Sequence, residues 1–178
     1  MTLTPPTPLI KSMIRVNQAG EYGAKRIYEG QLSGSLSSED KDLIQEMLIQ
    51  EEEHLLLFNQ LAEKYDIPPT KLTPLWHAAG FGLGVVSSLL GKRAMMACTV
   101  AVEEVIDEHY QDQLYKLRSI REDYEPELQT LIEKCHKDEL AHRDTGIEHH
   151  AQEMIGYPIF KSLLKTGVRV AIALSKRV

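Results

Sequence analysis

At 178 residues, 43% of them apolar, the chain is long enough to bury a full core without disulfides or structural metals, and one domain over 1–178 is expected. A formal charge of −6 excludes a general nucleic-acid binder, which needs a net basic face to displace counterions from phosphates. The two cysteines, Cys98 and Cys135, both fall inside helical patterns, so free buried thiols in a reduced compartment are expected rather than a disulfide.

Leu, Glu, Ala, Lys, Gln and Met dominate between widely spaced Pro and Gly clusters, which favours an all-α chain. The first residues, Met1 to Lys11, lack the cationic start and long apolar run of a secretory signal, and no export is expected. Thr7 and Pro8 open a first helix over about 8–32, in which Ile10, Ile14, Asn17, Glu21, Ala24 and Tyr28 recur at steps of three and four. Gly34-Ser35-Leu36-Ser37-Ser38 is a turn, and Ser37 with Asp40 forms a capping-box variant before a second helix over about 38–65. Its stripe runs Ile44, Met47, Glu51, His54, Phe58, Leu61, Tyr65 without a break. Asp66-Ile67-Pro68-Pro69 ends it, and Thr73-Pro74 restarts a weaker, glycine-broken helical crossover over about 72–91, closed by Gly91.

A third long helix over about 92–121 shows Met96, Thr99, Glu103, Ile106, Tyr110, Leu114 and Leu117 on one face. A fourth, over about 126–155, opens at Glu125-Pro126 and shows Leu128, Ile132, Cys135, Glu139, His142, Gly146 and His149. Pro158 then starts a short C-terminal helix over about 158–176, with Lys and Arg set against Leu and Val. The order is helix pair, long apolar crossover, helix pair, tail, which predicts a four-helix bundle.

Acidic residues lie inside these apolar stripes. Glu51-x-x-His54 and Glu139-x-x-His142 each put a carboxylate and an imidazole on one helix face. Singly the motif means little, since chance supplies roughly one copy in a chain of this composition. Glu133-x-x-His136 is such a copy: it sits off the stripe and is expected on the surface. The other two gain force from company, because Glu21 precedes the first and Glu103 the second, each alone in its own helix stripe. Four buried carboxylates demand cations or protonation. Two divalent ions against neutral histidines close the charge, whereas a structural ion-pair network would need basic residues in the same stripes, and only Lys25 stands beside any of them. Four oxygen and two nitrogen ligands suit iron or manganese better than zinc or calcium. Glu103 is chosen over Glu104 and Asp107 by register, and Glu52 and Glu53 are expected to face outward. The repeated Glu, then Glu-x-x-His, resembles the ligand set of ferritin-like di-iron and di-manganese bundles.

With those residues in place, four segments closely resemble the demethoxyubiquinone hydroxylase family: Arg-Val-Asn-Gln-Ala-Gly-Glu-Tyr-Gly-Ala at 15–24, Gln-Glu-x-x-His-Leu at 50–55, Ala-Cys-Thr-Val-Ala-Val-Glu-Glu at 97–104 and Asp-Glu-Leu-Ala-His at 138–142. The resemblance implies a monooxygenase of ubiquinone synthesis whose iron ligands match Glu21, Glu51, His54, Glu103, Glu139 and His142. It implies two Fe, O2 as co-substrate, an isoprenoid quinone substrate and NADH as electron source, with possible partners in a quinone-synthesis complex and a possible homo-oligomer. The chain shows no glycine-rich nucleotide fingerprint after a strand. His109 and Tyr110 match a His-Tyr pair near the site in relatives and are expected to help proton or electron delivery, although Tyr110 fits a core aromatic equally well. Glu108 and Ala173 stand where animal relatives carry histidine and tyrosine, so no relay role transfers to them.

No Asp or Glu occurs from Ile67 to Val102, and His77 is the only ionisable residue from Leu72 to Gly91. Pro74, His77, four glycines and two serines make this a poor membrane span. An interfacial element over 72–93 is expected instead, with Trp76 at the interface, Lys92 and Arg93 meeting anionic headgroups, and the C-terminal helix assisting. Core packing of the crossover is the alternative. The implied location is peripheral, on the cytoplasmic face of a bacterial inner membrane, or on the matrix side of the mitochondrial inner membrane for a processed eukaryotic chain. Two rival functions stay open here: a ferritin-like ferroxidase or iron-storage protein, and a non-enzymatic quinone-binding scaffold.

Overall fold

The structure, a computed structural model, describes residues 6–120 and 125–177. Among these residues the order is α1 (Pro8–Leu32), α2 (Ser38–Lys64), α3 (Thr73–Leu89), α4 (Lys92–Ile120), α5 (Pro126–Glu148), one 3-10 turn (Ala151–Glu153) and α6 (Tyr157–Ser175), with no strand. Residues 1–5, the expected last residue of the third helix at 121, and residue 178 lie outside the described residues.

Local chemistry fixes the helix starts. Thr7 accepts a hydrogen bond from the Ile10 amide at 3.4 Å, and Ser37 accepts from the Asp40 amide at 3.1 Å while donating to Asp40 Oδ2 at 2.7 Å. One predicted boundary is corrected: the fourth helix, expected to 155, stops at Glu148. His150 takes φ 64°, and Gly156 at φ 77° turns the chain again before α6, so the 149–156 segment is a corner rather than a last pair of turns. Pro and Gly are absent from 147–155, which is why the sequence carried no stop signal there.

Helices α1, α2, α4 and α5 form the bundle. At one end Ile10 and Ile14 of α1 pack with Phe58 and Leu61 of α2, Leu114 and Leu117 of α4, and Leu128 and Ile132 of α5. At the other end Tyr28 of α1 packs with Ile44 and Met47 of α2 and Met95, Met96 and Val100 of α4. Neighbours in sequence therefore run antiparallel, and a layer of charged side chains is sandwiched between two apolar layers.

Helix α3 returns along α1. Gly80 and Gly84 face it, and a β-carbon at Gly84 would overlap the Ile27 carbonyl oxygen, so only glycine permits this approach. The glycines that weakened the helical pattern are the packing surface. One face of α3 is thus core, as the alternative expectation had it, while Leu75, Val86, Leu89 and Leu90 stay exposed. Among the described residues no helix is long and apolar enough to cross a membrane. Helix α6 lies on α4, its Lys161 and Lys165 reaching Glu104 and its Arg169 reaching Glu108 at 2.9 Å. Between α1, α3, α4 and α6 is an apolar cavity of about 290 Å³, bordered by Val16, Ala24, Leu83, Ile106, Leu164 and Val168 among others. Trp76 Nε1 donates to Ser175 Oγ at 3.0 Å across one end of it.

Candidate metal centre

Each of the six residues singled out by register is buried, at 0–3% exposure: Glu21 from α1, Glu51 and His54 from α2, Glu103 from α4, Glu139 and His142 from α5. Their ligand atoms form two overlapping groups, Glu21–Glu51–His54–Glu139 and Glu51–Glu103–Glu139–His142, within each of which all atoms lie within 4.8 Å of one another. Glu51 and Glu139 belong to both groups. The geometry could hold two ions, with two carboxylates common to both groups and one Glu-His pair at either end.

The histidine tautomers follow from their outer partners. His54 Nε2 donates to Asp138 Oδ2 at 3.0 Å, and His142 Nε2 donates to Gln50 Oε1 at 2.5 Å. Both Nδ1 atoms therefore point inward: that of His54 is 3.2 Å from Glu139 Oε1 and 3.4 Å from Glu21 Oε2, and that of His142 is 3.2 Å from Glu139 Oε2 and 3.3 Å from Glu51 Oε1. A neutral ring would aim a lone pair at carboxylate oxygens, which is repulsive unless a cation lies between them. Both oxygens of Glu51, Glu103 Oε2 and His54 Nδ1 have no hydrogen-bond partner, although buried polar atoms are ordinarily satisfied. The residues fit a pair of bound cations.

Without metal, protons carry the compensation. Burial alone would lower His54, yet the Glu139 and Glu21 carboxylates raise it to about 12. His142 is raised against burial by Glu139 and Glu103. Glu139 opposes its own desolvation and drops to about 2 beside the two imidazoles. Glu51 and Glu103 go well above the usual carboxylate range through burial and mutual repulsion with Glu139.

Among the described residues no Lys or Arg is paired with these four glutamates. Lys25 turns outward to Glu29 and Glu52, the latter at 2.9 Å. Glu53 is exposed beside Lys134, Glu104 pairs with lysines of α6, and Asp107 pairs with His136 at 2.6 Å, so these neighbouring acids stay outside the cluster. The third Glu-x-x-His copy faces away from the centre: Glu133 meets Arg118 at 2.8 Å, while His136 is half-buried rather than fully solvated.

Tyr110 and His109 part company. Tyr110, fully buried, donates its phenol proton to Glu21 Oε1, and burial next to that carboxylate pushes it well above the usual phenol range. It is both a core aromatic and a neighbour of the centre. His109 instead belongs to a buried amide network, where Gln113 Nε2 donates to Asn17 Oδ1 and to the His109 ring nitrogen, both at 2.7 Å. Burial, then the charge of Lys176, lowers His109 to about 4, so its ring is a neutral acceptor. It floors an open cleft of about 360 Å³ edged by Glu108, Asp112, Arg169 and Lys176. Ala173 also borders this cleft, and Glu108 is held by Lys165 and Arg169. Sequence reasoning missed the supporting groups Asp138, Gln50 and Tyr28, whose hydroxyl donates to Glu103 Oε1 at 3.2 Å. Asp138 and Gln50 each precede a ligand glutamate in the chain, which was the available signal. Both cysteines are free and buried, as expected.

A helical bundle closing on paired carboxylates and imidazoles belongs to the class of folds that could hold two metal ions between their helices. The model of the family described as ubiquinone biosynthesis protein COQ7 matches residues 8–175. A mitochondrial NADPH-dependent 3-demethoxyubiquinone 3-hydroxylase of Dictyostelium discoideum is 50% identical over 170 residues, 96% of this chain and 78% of that protein. A human protein of the same name is 45% identical over 94% of this chain and 77% of its own length. A 3-demethoxyubiquinol 3-hydroxylase of Rhodospirillum rubrum is 44% identical over 97% of this chain and 80% of its own length. The chain belongs to the COQ7 family of ubiquinone biosynthesis hydroxylases. The names of the first two relatives specify NADPH where the sequence reading expected NADH.

Proposed function

We propose that this chain is a di-iron monooxygenase that hydroxylates the ring of demethoxyubiquinone or demethoxyubiquinol in ubiquinone biosynthesis. The observation that carries the proposal is the pair of four-residue ligand groups sharing Glu51 and Glu139, with buried ligand atoms left unpartnered. Glu21 and His54 would hold one iron, Glu103 and His142 the other, and Glu51 and Glu139 both. Iron bound there supplies reductive activation of O2. Two divalent ions offset the four carboxylate charges, so the centre can sit in an otherwise apolar interior.

The protein's own groups prepare the centre. Asp138 and Gln50 fix which ring nitrogen of each histidine faces inward, and Tyr28 and Tyr110 hold Glu103 and Glu21 by donating to them. Tyr110 would pass a proton to or from the Glu21 side, a role its hydrogen bond to Glu21 supports. His109, neutral and next along the helix, would connect that region to the open cleft. The apolar cavity flanks the centre, since Gly20 adjoins Glu21 and Val102 adjoins Glu103 on its wall. An isoprenoid quinone is the substrate class such a lining suits. A nicotinamide nucleotide supplies the electrons, and the names of the relatives favour NADPH over NADH.

Membrane contact is part of the same proposal, with exposed Leu89 and Leu90 at the C-terminal end of α3 and Ile159 and Leu163 of α6 as the inserting residues. The headgroup role expected for Lys92 and Arg93 is less direct, since they pair with Asp40 at 2.5 Å and Glu153 at 2.7 Å. The corresponding location is peripheral, at the cytoplasmic face of a bacterial inner membrane or the matrix side of the mitochondrial one. An iron-storage role gives the apolar cavity no use.

The test is anaerobic iron loading followed by turnover of demethoxyubiquinol with isotopically labelled O2. Label on the new ring hydroxyl and about two irons per chain are expected. Glu139→Ala should lose both while keeping its helical circular dichroism, because the substitution also removes a buried charge. Unlabelled product, or full activity in Glu139→Ala, overturns the proposal.

A further inference from the structure

The two ends of the ligand cluster differ in one donor. Cys135 of α5, one turn before Glu139, places its sulfur within 4.8 Å of ligand atoms of both Glu21 and His54. Among the described residues no thiol joins the Glu51–Glu103–Glu139–His142 group. The second cysteine, Cys98, is buried on the other side, beside Ile27 and Val102, and enters no such group. The inward Nδ1 of His54, on a residue with 0% exposure and without a hydrogen-bond partner, lies 3.2 Å from Glu139 Oε1 and 3.4 Å from Glu21 Oε2, and His54 and Glu21 form one group with the thiol.

We propose that Cys135 makes the Glu21–His54 position a mixed oxygen, nitrogen and sulfur site that favours thiophilic divalent ions such as Co2+, Zn2+ or Cd2+, while the Glu103–His142 position offers oxygen and nitrogen donors only. This deepens the dinuclear proposal and rests on it. Soft donors discriminate among metals by ligand type, and a thiolate raises the affinity for cadmium or cobalt far more than for manganese. On binding, the sulfur–metal bond forms as the thiol proton leaves to solvent, with no change in oxidation state. Hard ions satisfied by Glu21, Glu51, His54 and Glu139 leave the sulfur uncoordinated. The consequence is a built-in vulnerability, in which thiophilic ions occupy one half of the centre and block it.

The experiment is titration of the metal-free full-length chain with Co2+, followed by absorption spectroscopy. Visible ligand-field bands together with a near-ultraviolet thiolate-to-cobalt charge-transfer band are expected. The chain has two cysteines, so survival of that band in Cys98→Ser assigns it to Cys135. Cys135→Ser and Cys135→Ala should lose the charge-transfer band and keep the ligand-field bands. The same variants should weaken Cd2+ binding by about tenfold or more and leave Mn2+ binding unchanged. Ligand-field bands without the charge-transfer band in the unmodified chain overturn the sulfur inference and leave the dinuclear proposal standing. No ligand-field bands at all would sink both.

Discussion

At the scale of single residues, the centre is held by hydrogen bonds from outside as much as by the six side chains themselves. Asp138 and Gln50 matter because an imidazole free to choose its tautomer would present a proton, not a lone pair, to the metal. Asp138→Ala should therefore lower iron affinity by about 10-fold to 100-fold with little loss of helix content, and chelator competition measures it. His109 gives a pH signature of a different kind. Its folded value near 4 lies below its ordinary 6.5, so the unfolded chain binds the proton first as pH falls. The stability it contributes is complete above about 6.5 and is lost as pH drops through 4, by on the order of 3 kcal/mol for a shift of that size. His109→Gln, compared with the unmodified chain by denaturant unfolding at pH 7 and pH 5, should show a smaller acid-side loss. Identical pH slopes would mean that the ring is not held neutral. The clustering of the six buried side chains was legible in the sequence because a charged residue in an apolar stripe is an anomaly that register alone exposes. Asp138 and Gln50 were not, since their role lies in the neighbouring helix they reach.

At the scale of elements, the crossover turns its glycines into a packing surface. Its glycines look like a defect in a helix, and the cost of about 1 kcal/mol each is real in isolation. In the fold Gly84 and Gly80 let α3 sit against the α1 backbone. Gly84→Ala should push the two helices apart and lower stability by about 1–3 kcal/mol, read as a drop in Tm with the metal content unchanged. The α5 boundary shows the opposite limit. His149 and His150 are ordinary helix residues by propensity, and the turn at His150 exists because the chain must fold back across the end of the bundle before α6. Propensity could not see that demand.

At the scale of the whole molecule, α3 and α6 flank the cavity on the outside of the bundle and leave a run of large apolar side chains exposed, among them Leu89 at 77%, Ile159 at 70% and Leu163 at 69%. Flotation with anionic liposomes should carry the chain upward, and Ile159→Asp with Leu163→Asp should leave it in the soluble fraction while iron loading is retained. An unmodified chain that stays wholly soluble ends the membrane proposal. The sequence by itself determined the helix count, the order of bundle and crossover, and which acids and histidines turn inward. Those follow from periodicity and from the energetic anomaly of buried acids, which are written locally along the chain. Only the tertiary structure decided which carboxylates are shared, which ring nitrogen faces inward, where the cavity lies, and that one thiol stands at one end of the centre. Each of these is a relation between side chains far apart in sequence, and only packing sets such distances.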